Sequence, residues 1–233
     1  MSIYVLVHGA WHGAWCWEKL TPLLQEQGHR VIAPDLPGHG DDQTPFEEIT
    51  LKTYVDYIKS IILDLNAPVI LVGHSMGGIV ISEVGSQIPE KIQKLIYLAA
   101  FVPTAGESLT TLAQKQKPTR FSKQMNVIPG EFAMHLPFDQ MKSFAFHQYE
   151  KADFNLIAHR FRPDPLLPWG EPVSLSEHFD SIPKRYIECV YDRALPISTQ
   201  RIFQQTWGCE VKTLLSDHSP FYSMPENLAR LLT

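Results

Sequence analysis

Short runs of apolar, largely β-branched residues recur along this chain, and nearly every position within each run is apolar. Ile3-Tyr4-Val5-Leu6-Val7 closes at His8-Gly9, Arg30-Val31-Ile32-Ala33 at Pro34-Asp35, and Pro68-Val69-Ile70-Leu71-Val72 at Gly73. Leu95-Ile96-Tyr97-Leu98, Tyr186 to Tyr191 and Val211 to Leu215 repeat the pattern. A strand with one wet face alternates apolar and polar residues. Runs without that alternation belong to strands covered on both faces, as in parallel sheets. Between them stand amphipathic stripes at helical spacing, over Trp15 to Glu26, Leu51 to Leu65, Ser75 to Gln87, Thr199 to Thr206 and Pro225 to Leu232. This alternation predicts an α/β fold with a mainly parallel sheet of about six strands and helices on both faces.

The rhythm breaks over about residues 103–182, which are rich in Phe, Met, Lys and Pro, as in Phe144-Ala145-Phe146 and Phe161-Arg162-Pro163. Amphipathic pieces occur there but no convincing strand, so a helical cap over the carboxyl edge of the sheet is expected. A chain of 233 residues suits one domain of this kind, with its core at about 1–102 and 183–233 and the cap between.

Composition narrows the partners. Apolar residues make up 44% and the net charge is −5, without a Lys/Arg-rich run to track phosphates, so nucleic acid is not expected. No apolar stretch is long enough to span a bilayer, and no basic segment precedes the first apolar run, so neither membrane nor leader is expected. Cys16, Cys189 and Cys209 are odd in number and far apart, without a C-x-x-C spacing. They read as free thiols in the cytoplasm. Whether the chain ends naturally after Leu231-Leu232 is left open.

Gly73-His74-Ser75-Met76-Gly77 matches G-x-S-x-G, with a buried strand before it and a helical stripe after it. A strand turning sharply into a helix pushes the serine Oγ clear of the sheet, and glycines flank the turn because a Cβ would clash. A serine needs a base and an orienting acid to act near neutral pH. His218 follows the last strand, and Asp192 follows the strand before it, in the order Ser75, Asp192, His218. Asp217 adjoins the histidine, but a sequence neighbour rarely reaches that ring's Nδ1, and Asp164 and Asp180 fall in the cap. An oxyanion hole is expected from the backbone N–H groups of Met76 and Ala10. His8 and His12 lie in a glycine-punctuated loop without a carboxylate or cysteine to complete a ligand set, so they are read as holding the loop and no metal is expected. Trp11 and Phe101 are candidate pocket walls.

The segments His8-Gly9-Ala10-Trp11-His12-Gly13-Ala14-Trp15, Gly28 to Leu36, Val69 to Gly78 and Leu98-Ala99-Ala100-Phe101-Val102-Pro103 resemble the methylesterase and hydroxynitrile lyase group of α/β-hydrolases, which includes bacterial esterases. The resemblance covers most of the core and is weak through the cap. It implies the α/β-hydrolase fold, a covered apolar pocket and cofactor-free hydrolysis of small carboxylic esters. It places nucleophile, base and acid on Ser75, His218 and Asp192, and the oxyanion donors on Ala10 and Met76. In the lyases a threonine follows the first-loop histidine and a lysine follows the catalytic one. Gly9 and Ser219 stand there in this chain, so a leaving cyanide lacks its positive partner. Non-catalytic ligand-binding members of the fold are the other alternative, argued against by an intact set of three residues. The residues leave open which ester is cleaved (methyl, aryl, lactone, pyrethroid-like or thioester), and the resemblance allows a homodimer.

Overall fold

The computed structural model describes residues 1–115, 119–128 and 130–233. Six strands, β1 (Ile3–Val7), β2 (Arg30–Ile32), β3 (Val69–His74), β4 (Ile92–Leu98), β5 (Lys184–Cys189) and β6 (Glu210–Leu214), form one sheet in the order β2-β1-β3-β4-β5-β6. Every neighbouring pair is parallel. β3 and β5 are buried at every residue, whereas the edge strand β2 has no buried residue and β6 only one. Uniform apolarity in the sequence thus follows the central strands, where both faces are covered.

Three helices set the frame around the site: α1 (Leu20–Glu26), α2 (Leu51–Leu63) and α3 (Gly77–Gln87). α2 starts at Thr50, whose hydroxyl accepts the Thr53 N–H while Thr53 answers the Thr50 N–H, a reciprocal cap. Its buried stripe of Leu51, Tyr54, Val55, Ile58 and Ile62 packs toward α3. The expected helix from Trp15 is broken: Ala14–Trp17 forms a 3₁₀ turn and α1 begins only at Leu20. Pro22 explains the break. In the first turn its missing N–H costs nothing, but in the interior of a longer helix it would remove a hydrogen bond and clash.

The chain between β4 and β5 departs from an all-helical cap. It holds the helices Leu109–Gln114, Phe138–Phe144, Lys151–Ile157 and Leu167–Gly170, but also a small antiparallel sheet of Asn126–Val127, Ala133–His135 and Asp164–Pro165. Strands of two or three residues are too short to print an alternation in sequence. Phe146, Phe154 and Phe161 pack ring to ring at 5.4–5.8 Å, and Phe161 meets Trp15 of the first loop at 4.9 Å.

The turn from β3 into α3 is packed tightly against backbone. A Cβ on Gly73 would lie 2.6 Å from the Gly77 carbonyl oxygen, and one on Gly77 would lie 2.8 Å from that of Val7. Both neighbours are backbone and cannot swing aside. Gly77→Ala should therefore destabilise the protein by about 1–3 kcal/mol, the usual scale of overpacking. Urea denaturation checks this, and an unchanged midpoint would contradict the close approach.

Candidate active site

Ser75 occupies that turn with φ 53°, a left-handed conformation that costs a non-glycine residue about 1–3 kcal/mol. Hydrogen bonds hold it there. Its N–H donates to Leu98 O at 3.2 Å, and its carbonyl accepts from the Gly78 and Phe101 N–H groups, each at 3.1 Å.

His218 lies on the loop after β6 and Asp192 on the loop after β5, and both are buried. The His218 Nδ1 stands 2.6 Å from Asp192 Oδ2. Asp192 Oδ1 accepts the Ala194 and Leu195 N–H groups at 2.8 Å each, and Gln200 Nε2 donates to Oδ2 at 3.1 Å. Burial raises the Asp192 carboxyl above its ordinary value, and His218 with the two backbone donors draws it back. With Nδ1–H given to Asp192, the other ring nitrogen of His218 is left to work as a base. His218 and Ser75 line the same cavity.

The other carboxylates considered from sequence point elsewhere. Asp217 accepts from the Gln148 and Ser219 N–H groups and the Ser223 hydroxyl, at 2.9, 3.2 and 2.8 Å. Asp180 is exposed, and Asp164 bonds Trp11, His39 and Trp169. Burial pushes the Cys16 and Cys189 thiols well up and Cys209 up to about 11, so none supplies a thiolate near neutral pH. Among the described residues no three His, Cys, Asp or Glu side chains group as metal ligands.

The first loop is stiffened by neutral histidines. His8 donates Nδ1–H to Gly9 O at 2.9 Å and accepts the Leu36 N–H at Nε2. His12 donates Nδ1–H to Ala10 O at 2.7 Å, and His74 donates Nε2–H to His218 O at 2.9 Å. Burial holds His8 and His74 well below the usual imidazole value and pulls His12 down to about 3. Among the described residues neither the Ala10 nor the Met76 N–H is bonded to a protein acceptor, and both residues line the cavity beside Ser75.

Trp11 and Phe101 line that cavity too, together with Leu109, Phe121, Met125, Met141, Trp169 and Leu195. Its described lining contains no Asp, Glu, Lys or Arg. Sequence reasoning missed Gln200, which fixes Asp192, and Gln148, whose Oε1 accepts the Asp217 N–H at 2.8 Å beside the histidine. No spacing rule points to either, because each partner arrives from a distant part of the chain or from a neighbouring turn.

The alpha/beta hydrolase family profile matches residues 4–231. The chain is 44% identical to a carbendazim hydrolyzing esterase of Nocardioides sp. (strain SG-4G), over 100% of this chain and 98% of that protein. It is 34% identical to methylesterase 7 of Arabidopsis thaliana, over 98% of this chain and 94% of that protein. It spans 62% of the length of a longer chloroplastic relative from the same plant. The crystal structure of a pyrethroid hydrolase from Sphingobium faniae JZ-2 superposes with a TM-score of 0.90 at 29% identity, covering 99% of this chain and 95% of that one.

The buried neutral histidines set a pH dependence. Unfolded, His8, His12 and His74 take up protons near pH 6.5; folded, they refuse them until well below that, about pH 3 for His12. The unfolded state then binds more protons, so stability falls as pH drops below 6.5. Asp192, raised on folding, works in the opposite sense over its own titration. Urea midpoints should fall steadily from about pH 7 to pH 5, and His12→Gln should flatten the slope. A midpoint constant over that range would contradict the neutral assignment.

Proposed function

The chain belongs to the alpha/beta hydrolase family and is an ester-hydrolysing enzyme, and we propose that it is a serine carboxylesterase for small, neutral, apolar or aromatic esters. One observation carries this reading: the 2.6 Å contact from Asp192 to His218 Nδ1, beside a cavity that His218 shares with Ser75. His218 takes the proton from Ser75 Oγ, which attacks the ester carbonyl. The oxyanion rests on the Ala10 and Met76 N–H groups, and His218 then protonates the departing alcohol. Water repeats the sequence on the acyl-enzyme, while Asp192 holds the imidazole in the useful tautomer. No cofactor enters the cycle.

Residues 1–233 act in this reading as one domain, core about 1–102 and 183–233 with a cap at about 103–182. The apolar core, continuous from the sheet into that segment, supports it. Trp11 and Phe101 serve as pocket walls. A described lining without Asp, Glu, Lys or Arg favours neutral substrates, because a charged group would lose water without gaining a counter-ion there, at a cost of several kcal/mol. The same lining, with Ser219 buried after the histidine, favours ester hydrolysis over cyanide release. A pyrethroid and carbendazim, named for two relatives, are the first specific substrates to try.

Two outcomes are expected. Ser75→Ala and His218→Ala should each lower kcat on p-nitrophenyl butyrate by roughly 10⁴- to 10⁶-fold. Near-wild-type turnover in either variant would remove that residue from the chemistry. Kinetics on a matched pair of p-nitrophenyl esters, one ending in methyl and one in a carboxylate, should give kcat/KM lower by about 10²-fold or more for the anion. Equal values would contradict the uncharged pocket.

A further inference from the structure

Asp164 is fully buried and has no place in the proposed reaction. Three donors converge on it. The Trp11 N–H reaches Oδ1 at 2.9 Å, His39 Nε2 lies 2.7 Å from the same oxygen, and Trp169 Nε1–H reaches Oδ2 at 2.5 Å. Trp11 directly follows Ala10 and is held at φ 63°, a conformation that a tryptophan adopts only when its surroundings impose it. Two further bonds impose it from the same segment as Asp164: Trp11 Nε1–H donates to Met134 O at 3.0 Å, and Arg162 N–H donates to Trp11 O at 3.3 Å.

The peptide planes on either side of Ala10 are therefore both gripped. The Gly9 carbonyl of the first accepts from His8 Nδ1, which leaves the Ala10 N–H on its opposite side. In the second, the Ala10 carbonyl accepts from His12 and the Trp11 N–H is taken by Asp164. A donor aimed at a developing charge must keep its direction to a fraction of an ångström, and a loop bearing a strained residue keeps it only while the strain is held.

We propose that Asp164 is a positioning residue for the oxyanion hole: by fixing the Ala10–Trp11 peptide from the segment between β4 and β5, it keeps the Ala10 N–H aimed at the reacting carbonyl. The inference rests on the esterase reading above. It also gives that segment a part in transition-state stabilisation besides walling the pocket. Asparagine cannot replace this carboxyl group. One of its two terminal atoms is a donor, so an N–H must face either Trp169 Nε1–H or the pair formed by the Trp11 N–H and His39.

The test compares full-length wild type with Asp164→Asn. Three quantities are read: kcat and KM on p-nitrophenyl butyrate, affinity for an alkyl trifluoromethyl ketone that captures the serine as an oxyanion, and affinity for the plain ketone of the same shape. The expected result is a kcat lower by about 10- to 10²-fold with KM within about threefold. Trifluoromethyl ketone affinity should fall in parallel while the plain ketone binds as before. An unchanged kcat, or equal losses for both ketones, would overturn the proposal and leave Asp164 as a structural staple. If the asparagine variant does not fold, Asp164→Glu, which keeps both acceptor oxygens but displaces them by one methylene, is read by the same criteria. Ser75-dependent turnover in wild type separates the two claims: without it the esterase reading falls and this proposal with it, and with it the variants judge Asp164 alone.

Discussion

The turn that carries Ser75 takes its shape from how closely the ends of β1 and β4 approach it. Gly77 abuts the Val7 carbonyl at the end of β1, and the Ser75 N–H is bonded to Leu98 at the end of β4. Much of the site follows from that squeeze. Because β1 stops against the turn, the loop from His8 begins beside the serine and presents Ala10 to the same cavity. Because β4 stops on the other side, the chain leaves through Phe101, which bonds the Ser75 carbonyl and lines the cavity. The parallel order β1-β3-β4 thus gathers three carboxyl-end loops at one point, where open parallel sheets bind their ligands.

Burying polar groups at such a point is costly unless they find partners, and most here do, although among the described residues His12 Nε2, His74 Nδ1 and the Ser219 hydroxyl have none. Asp192 meets four donors, and His8, His12 and His74 stay neutral with one nitrogen each on a backbone carbonyl. The segment between β4 and β5 completes the set. Gln148 clasps Asp217 next to His218, and Asp164 takes the Trp11 N–H in the first loop. That segment is therefore fastened by hydrogen bonds to two of the loops beside the cavity, which favours a preorganised site over one assembled on closure.

Legibility in the sequence followed the reach of the forces involved. Central strands were readable because burial on both faces leaves an unbroken apolar run, as in Val69 to Val72. Ser75 was readable because its turn leaves a local pattern: glycines flank it, Gly73 pressed by the Gly77 carbonyl and Gly77 by the Val7 carbonyl of β1. Asp192 and His218 could be placed only by their position after successive strands. Gln200 and Gln148 left no mark, and Asp164 was weighed only as a rival acid, since a buried glutamine or aspartate looks in sequence like any surface one. The two- and three-residue strands around Ala133–His135 were invisible for want of a period, and the late start of α1 hinged on Pro22, a breaker within an otherwise good helical stripe.

The central claim is that Ser75 becomes covalently acylated in each turnover. It is tested most directly by mixing the enzyme with excess p-nitrophenyl acetate, following nitrophenol release in the millisecond range, and sequencing acid-quenched peptides by mass spectrometry. The account predicts an acetyl group on the Ser75 peptide that forms and decays at rates compatible with turnover, preceded by a burst if deacylation is the slower step. Rapid ester hydrolysis with acetyl found on another residue, or with the Ser75 peptide unmodified at every quench time, would contradict it.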